Sequence, residues 1–292
     1  MRSLLRGLAR DRASVRWKQA VSTEVSSSQR NVLVLPSNAP ARDFYLGDVH
    51  GSPGLVEALL AAAGVDLAAG DRVIAAGDLI DRGRDSGGAL DLLDVPGFHS
   101  VLGNHDDLML RGDLERWYGI GGAGVWWWTS PRYRRHHWLE RVAALPTMIE
   151  VAGPQPVRVV HAEDPFGEQG VLPGVLDDAA RDTALWGGAG LLETRRWLKS
   201  CRHQAVAPRA IGPQSSQGWT VCGHEALGAL VGPRGLGGCA PLVVGNTVYL
   251  DTGAGCEHGA LSLANLDEPL IRNTSSCATL CCSLFVRSIF FL

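Results

Sequence analysis

Three short blocks carry the residue types needed for metal-assisted hydrolysis: Gly47-Asp48-Val49-His50-Gly51, Gly77-Asp78-Leu79-Ile80-Asp81-Arg82-Gly83 and Gly103-Asn104-His105-Asp106. Each follows a short apolar run of strand character: Phe44-Tyr45-Leu46, Val73-Ile74-Ala75-Ala76 and Ser100-Val101-Leu102. Open α/β sheets gather their ligands at the carboxyl ends of strands, so three such loops read as parts of one site. The donors are carboxylate, amide and imidazole, with no thiolate among them. That set suits Mn²⁺, Fe or Zn²⁺, and a carboxylate can bridge two ions.

Hydrolysis of a phosphoester at neutral pH needs a strong nucleophile, neutralisation of phosphoryl charge and a proton for the leaving group. Two ions ~3.5–4 Å apart answer the first two needs, because a bridging water becomes hydroxide and both ions hold the ester. Asp48 and His50 can reach one ion, Asp78 can bridge, and Asn104 can bind the second without adding charge. Further nitrogen ligands should come from later strand ends. His161 follows Arg158-Val159-Val160, and His224 follows Val221-Cys222-Gly223, so both fit. His105 is placed to act as general acid, with Asp81 holding its other ring nitrogen. The guanidinium of Arg82 suits phosphate oxygens. His99, His136, His137 and His203 lack such placement and read as surface or packing residues, whereas His258 lies close enough after Asp251-Thr252-Gly253 to approach the site.

The elements that must position these loops alternate as β–loop–α from Asp43 onward. Pro53 to Ala63 reads as a helix, with Pro near its first turn and Gly64 at its stop. A strand over 72–76, a helix over roughly 86–94 and a strand ending at Leu102 complete a βαβαβ rhythm, which implies a parallel sheet. Residues 107–145 read as a helical insert, interrupted by glycines between 119 and 124 and by Trp126-Trp127-Trp128. Those tryptophans read as a packing wedge, with an aromatic wall beside the site as the alternative. Beyond Pro146 the pattern turns to strands. Hairpins are expected over 147–161 and 243–248, a helix over 189–199 and strands at 249–253 and 259–266. The fold class is therefore α/β with a second β layer.

The chain of 292 residues has ample core, at 46% hydrophobic and 20% charged. Its net charge of -3 is unevenly spread. Residues 1–40 hold seven basic and two acidic residues, which leaves an acidic remainder. An acidic body argues against nucleic acid as a partner. Seven cysteines without a C-x-x-C pair give no disulfide framework, and we expect a reducing, cytoplasmic compartment. No run of 18 apolar residues is present, so no membrane span is expected. We read residues 1–40 as a basic, disordered extension, 41–268 as the catalytic domain and 269–292 as an apolar tail.

The three blocks in this order and spacing resemble the calcineurin-like metallophosphoesterases, and within them the phosphoprotein phosphatase family. Leu108-Met109-Leu110, Gly121-Gly122 with the tryptophans, Leu145-Pro146, His161-Ala162-Glu163-Asp164-Pro165-Phe166 and Asp251-Thr252-Gly253-Ala254-Gly255 are similar to the phage-lambda-type Ser/Thr protein phosphatases. The resemblance covers residues 43–266. It implies a four-layer α/β/β/α sandwich and two divalent ions, commonly Mn²⁺. It assigns Asp48, His50 and Asp78 to one ion, and Asp78, Asn104, His161 and His224 to the other. It assigns His105 and Asp81 to leaving-group protonation, and implies a phosphoprotein or small phosphoester substrate. Three positions depart from it. Leu102 and Gly188 stand where arginines are usual, and Asp106 replaces the usual Glu. Arg195 or Arg196 is a candidate substitute for the missing cations. Leu102-Gly103-Asn104-His105-Asp106 is also how symmetrical dinucleoside-tetraphosphate hydrolases read, and a non-catalytic scaffold is the third reading.

Overall fold

Alternation along the short apolar runs decides how this chain layers. A computed structural model describes residues 31–122, 124–167, 174–204, 218–227, 241–256, 259–266 and 270–275. In chain order the strands and α-helices are β1 (Val32–Leu35), β2 (Asp43–Leu46), α1 (Pro53–Ala63), β3 (Arg72–Ala75), α2 (Ser86–Asp91), β4 (Phe98–Ser100), α3 (Asn104–Arg111), α4 (Leu114–Gly119), α5 (Val125–Thr129), α6 (Arg132–Ala143), β5 (Met148–Val151), β6 (Val157–Val160), α7 (Asp178–Trp186), α8 (Ala189–Gln204), β7 (Trp219–Cys222), β8 (Leu242–Val244), β9 (Thr247–Tyr249), β10 (Ala260–Asn265) and β11 (Leu270–Ser275). One sheet runs β11-β10-β2-β3-β4, and the other β1-β5-β6-β7-β9-β8.

Side chains alternate across a strand, so each strand supplies two layers. Phe44, Leu46, Val73 and Ala75 face helices, where they pack with Val56, Leu59, Leu90 and Trp138. Tyr45 and Ile74 face the other way. They meet Ile149, Val157, Val159, Val221 and Val248 of the second sheet. The far face of that sheet, with Met148, Val160 and Cys222, is covered by Ala184 of α7 and by Leu176. Helix, sheet, sheet and helix follow one another as the resemblance implied. Strands β2, β3 and β4 pair in parallel, as the βαβαβ rhythm requires.

α1 has the bounds expected for it, and Gly64 takes the left-handed conformation that ends it. The hairpins β5–β6 and β8–β9 are antiparallel, as read from the sequence. The ends of the domain differ from expectation. Val32–Leu35 lies within the stretch read as a disordered extension, yet β1 pairs in parallel with β5 through Leu35↔Val151. Its four apolar residues complete the edge of a sheet. β11, inside the stretch read as a tail, pairs with β10 along its whole length. Residues 1–30, His258 and the chain after Ser275 lie outside the described residues, together with the readings placed on them.

Candidate metal centre

Three loops at the carboxyl ends of β2, β3 and β4 meet because they are stitched to one another. His50 N–H donates to the Asp78 carbonyl at 2.8 Å, Gly51 N–H to Leu79 at 2.8 Å, and Gly83 N–H to His50 at 3.0 Å. Asp106, at the third position of α3, accepts from Gly103 N–H at 3.1 Å and Leu79 N–H at 3.2 Å. It therefore caps its own helix and ties that helix to the second loop. The glycines are set by contact. An added Cβ at Gly103 would collide with Asp78, and one at Gly223 with Asp48 Oδ1.

Among the described residues, five non-glycine residues have left-handed backbone: His50 (φ 42°), Asp78 (47°), Asp81 (71°), Arg82 (59°) and His224 (67°). Four of them lie in the first two blocks, and the fifth, His224, is the candidate ligand that follows β7. Such conformations cost roughly 1–3 kcal/mol each and persist only where the surroundings over-determine them.

Asp48, His50 and Asp78 offer donor atoms within 4.8 Å of one another, all buried. His50 Nδ1 bonds the Ile80 carbonyl at 2.9 Å, which directs Nε2 to within 3.7 Å of Asp48 Oδ2 and 3.6 Å of Asp78 Oδ2. That Nε2 is buried without a hydrogen-bond partner. An orphaned imidazole nitrogen facing two carboxylates is what a cation site demands of apo geometry. A second group adjoins it. His161 Nδ1 is fixed on the Ala76 carbonyl at 2.7 Å, and its Nε2 lies 2.8 Å from Asn104 Oδ1 and 3.5 Å from Asp78 Oδ1. His224 Nδ1 lies 3.1 Å from both Asn104 Oδ1 and His161 Nε2. Asp78 thus stands between two convergent donor groups, and the residues present fit a pair of divalent ions.

His105 Nδ1 lies 2.8 Å from Asp81 Oδ2, leaving Nε2 on the side of the cluster, 4.0 Å from Asp78 Oδ2. Burial alone would lower the His105 pKa, but Asp78 and the Asp81 hydrogen bond outweigh it and raise it. Arg82 is exposed at the rim. The sequence-selected residues Asp48, His50, Asp78, Asn104, His161, His224, His105 and Asp81 are therefore together, with Arg82 beside them. His137 instead pairs with Asp94 at 2.7 Å on the surface, and His136 faces Glu140.

Sequence reasoning missed two features. Asp251 is buried after β9, with Oδ1 accepting from Gly253 N–H at 2.8 Å and Oδ2 unpartnered. Its carboxyl adds to the negative charge around Asp48. Asp81 is gripped from the insert: Trp117 Nε1–H donates to Oδ2 at 2.6 Å and Trp126 Nε1–H to Oδ1 at 3.2 Å. Trp126 and Trp127 pack against the core as a wedge would, and Trp126 in addition hydrogen-bonds the site. At the departures, Leu102 is fully buried, and Gly188 N–H donates to Glu163 at 2.5 Å. Arg195 is paired with Glu225.

The metal-free centre should betray its charge by its pH response. Burial raises Asp106 to about 7 and Asp251 to about 6, and lifts Asp48 well above the ordinary value. Burial lowers His50 and His224 to about 3. The histidines favour unfolding as pH falls below ~6.5, because only the unfolded chain then takes their protons. The carboxyls work oppositely, since the folded state holds their protons and loses stability as they ionise. Below ~6.5 the two sets offset each other. Above it the carboxyls and the raised His105 act alone. Chelated protein should therefore become less stable from pH ~6.5 to ~8, by on the order of 1 kcal/mol from Asp106. Thermal melts in chelator at both pH values, with Asp106→Asn alongside, measure this. A flat or rising midpoint would contradict it.

Comparison with known proteins agrees with the geometry. The chain is 32% identical over 147 residues to serine/threonine-protein phosphatase 2 of Salmonella typhimurium, covering 46% of this chain and 66% of that protein. It is 32% identical over 137 residues to the protein of the same name from Escherichia coli, covering 43% and 60%. The matched stretches thus span less than two thirds of both relatives. A crystal structure described as a proposed diadenosine tetraphosphatase shares the fold at 22% identity, with a TM-score of 0.56 over 85% of this chain and 99% of that one. No helix among the described residues is long and apolar enough to cross a membrane. The profile of calcineurin-like phosphoesterases matches residues 44–206, a span holding all three loops and His161, and the chain belongs to that family.

Proposed function

We propose that the chain is a dinuclear-metal phosphoester hydrolase of the Ser/Thr protein phosphatase type, with manganese as the preferred ion and iron or zinc as alternatives. The observation that carries this reading is the His105–Asp81 pair standing beside two convergent donor groups that share Asp78. Asp48, His50 and Asp78 would hold one ion, and Asp78, Asn104, His161 and His224 the other. When bound, such ions activate water and neutralise phosphoryl charge.

The chain's own residues supply the rest. Asp81 accepts the His105 Nδ1 proton, which fixes the ring and leaves Nε2–H toward the leaving group. As the P–O bond breaks, the leaving oxygen takes that proton. Arg82, exposed beside the centre, offers a cation to the phosphoryl oxygens. Its field reaches Asp48, His50 and His224, each of which it affects. Leu102 and Gly188 supply no charge, so fewer guanidinium contacts hold the ester, each worth about 1.5–3 kcal/mol.

Turnover of a phosphoserine peptide and of diadenosine tetraphosphate should be measured side by side with added Mn²⁺, with Asn104→Ala as the blank. Faster release of phosphate from the peptide is the expected result. Preference for the dinucleotide would replace phosphomonoester hydrolysis with phosphoanhydride cleavage. Rates equal to the blank on both would sink the hydrolase reading for these substrates in favour of a non-catalytic scaffold.

A further inference from the structure

The Asp81 carboxylate accepts from three side chains, two of which come from the helical insert. Its Oδ2 receives His105 Nδ1 at 2.8 Å and Trp117 Nε1 at 2.6 Å, and its Oδ1 receives Trp126 Nε1 at 3.2 Å. The backbone beneath is pinned as well. Asp81 N–H donates to Ser86 Oγ at 2.9 Å, and its φ is 71°. Gly122 closes the arrangement, since a Cβ there would run into the Trp117 ring and Asp81 Oδ2.

The indoles are themselves held. Trp117 is fully buried, and it meets Trp126 edge-on at 6.3 Å and Trp127 at 5.9 Å. Trp126 in turn meets Trp127 at 5.6 Å and Trp138 at 6.1 Å. Edge-to-face contacts at these separations restrict ring rotation. Helices α4, α5 and α6 thus bring four rings together, and two of them end on one carboxylate.

We propose that Trp117 and Trp126 are positioning residues for leaving-group protonation, holding Asp81 so that His105 keeps its Nε2 proton aimed at the departing oxygen. This role rests on the hydrolase reading above. An indole N–H only donates, so it cannot take the His105 Nδ1 proton or offer the imidazole a competing acceptor. A serine, tyrosine or water in its place could accept a hydrogen bond from the ring and compete with Asp81. With one lone pair of Oδ2 engaged by Trp117 and Oδ1 engaged by Trp126, the carboxylate cannot rotate away from the ring. In the step itself water attacks phosphorus and gives up one proton, and the P–O bond breaks with its electron pair on the leaving oxygen. That oxygen takes the Nε2 proton, and the proton released by water restores the imidazolium. The products are alcohol and phosphate.

The test compares two aryl phosphates with added Mn²⁺ in wild type, Trp117→Phe and Trp126→Phe. The 2,4-dinitrophenolate departs without a proton, whereas phenolate needs one. Removing an aligned general acid costs on the order of 10²–10⁴-fold, and loosening its support should cost less. Both variants should lose about 10- to 100-fold in kcat on phenyl phosphate and less than about threefold on the dinitrophenyl ester. Equal loss on both esters, or no loss on either, would overturn the proposal. Trp126 is only partly buried, so its variant keeps the test alive if Trp117→Phe does not fold.

A second readout needs no turnover. The Trp117 and Trp126 indole proton resonances, identified by their disappearance in the two variants, should lie downfield in wild type and move upfield in Asp81→Asn. Unmoved resonances would overturn the positioning role. Absence of turnover by the wild type on both esters would overturn the hydrolase reading and this role with it, while the resonances would still register the hydrogen bonds.

Discussion

Replacing Asp78 by Asn is expected to lower turnover of a phosphoserine peptide by about a thousandfold or more and to reduce the manganese retained per chain. Asp78 Oδ2 lies 3.6 Å from His50 Nε2, and Oδ1 lies 3.5 Å from His161 Nε2. Its two carboxylate oxygens thus face one histidine of each donor group. Burial pushes its pKa up, but His161, His105 and His50 outweigh that and hold it well below the ordinary range. A permanently ionised carboxylate is what shared coordination requires. Asn keeps the shape and the acceptor for His105 N–H, at 2.9 Å in the wild type, so the loop should survive. The lost charge is worth several kcal/mol of transition-state stabilisation, and each 1.36 kcal/mol is tenfold in rate. Initial rates with metal analysis of desalted protein decide the matter. Unchanged metal content with a rate within tenfold of wild type would show that Asp78 bridges nothing.

The second large effect is expected from His105→Gln, with a fall in kcat on the same peptide of about 10²- to 10⁴-fold and no change in bound metal. His105 is buried among the ligand candidates, yet its Nδ1 is committed to Asp81 and its Nε2 stands 4.0 Å from the nearest Asp78 oxygen. It is placed to deliver a proton, not to coordinate. The combination of lost rate and retained metal separates it from Asp78→Asn, where both should fall. Loss of metal in His105→Gln would reassign the residue to the ligand set, and a wild-type rate would remove it from the chemistry.

Most of this centre was legible because each residue is tied to a local rule. Asp48, Asp78 and Asn104 follow short apolar strands and open through glycine into loops. His161 and His224 repeat that placement after β6 and β7. The four layers came from the family resemblance, and the structure gives their physical basis in the alternating faces of Phe44-Tyr45-Leu46 and Val157–Val160. What escaped depends on distance in the fold. Nothing near Trp117 in sequence signals that its N–H ends on Asp81, 36 residues away. Three adjacent tryptophans suggested apolar packing, and a polar bond from Trp126 across 45 residues has no periodicity to betray it. Asp251 escaped because one carboxylate after a strand is commonplace until its buried, unpartnered oxygen is seen. β1 was hidden by its basic flank, since composition averaged over 40 residues masks four apolar ones.

The donor groups also differ in where they are anchored. Asp48, Asp78 and Asn104 stand beyond strands of one sheet, whereas His161 and His224 stand beyond strands of the other. Between the sheets lie apolar faces such as Tyr45 and Ile74 against Val159 and Val221, which are non-directional contacts. Ions shared by the two groups would rivet the sheets together at one rim. Parting them would then require coordination to break before the apolar faces could open. The durability of the loaded protein would be set by an unfolding rate, and a chelator would act at the pace of the chain's own breathing.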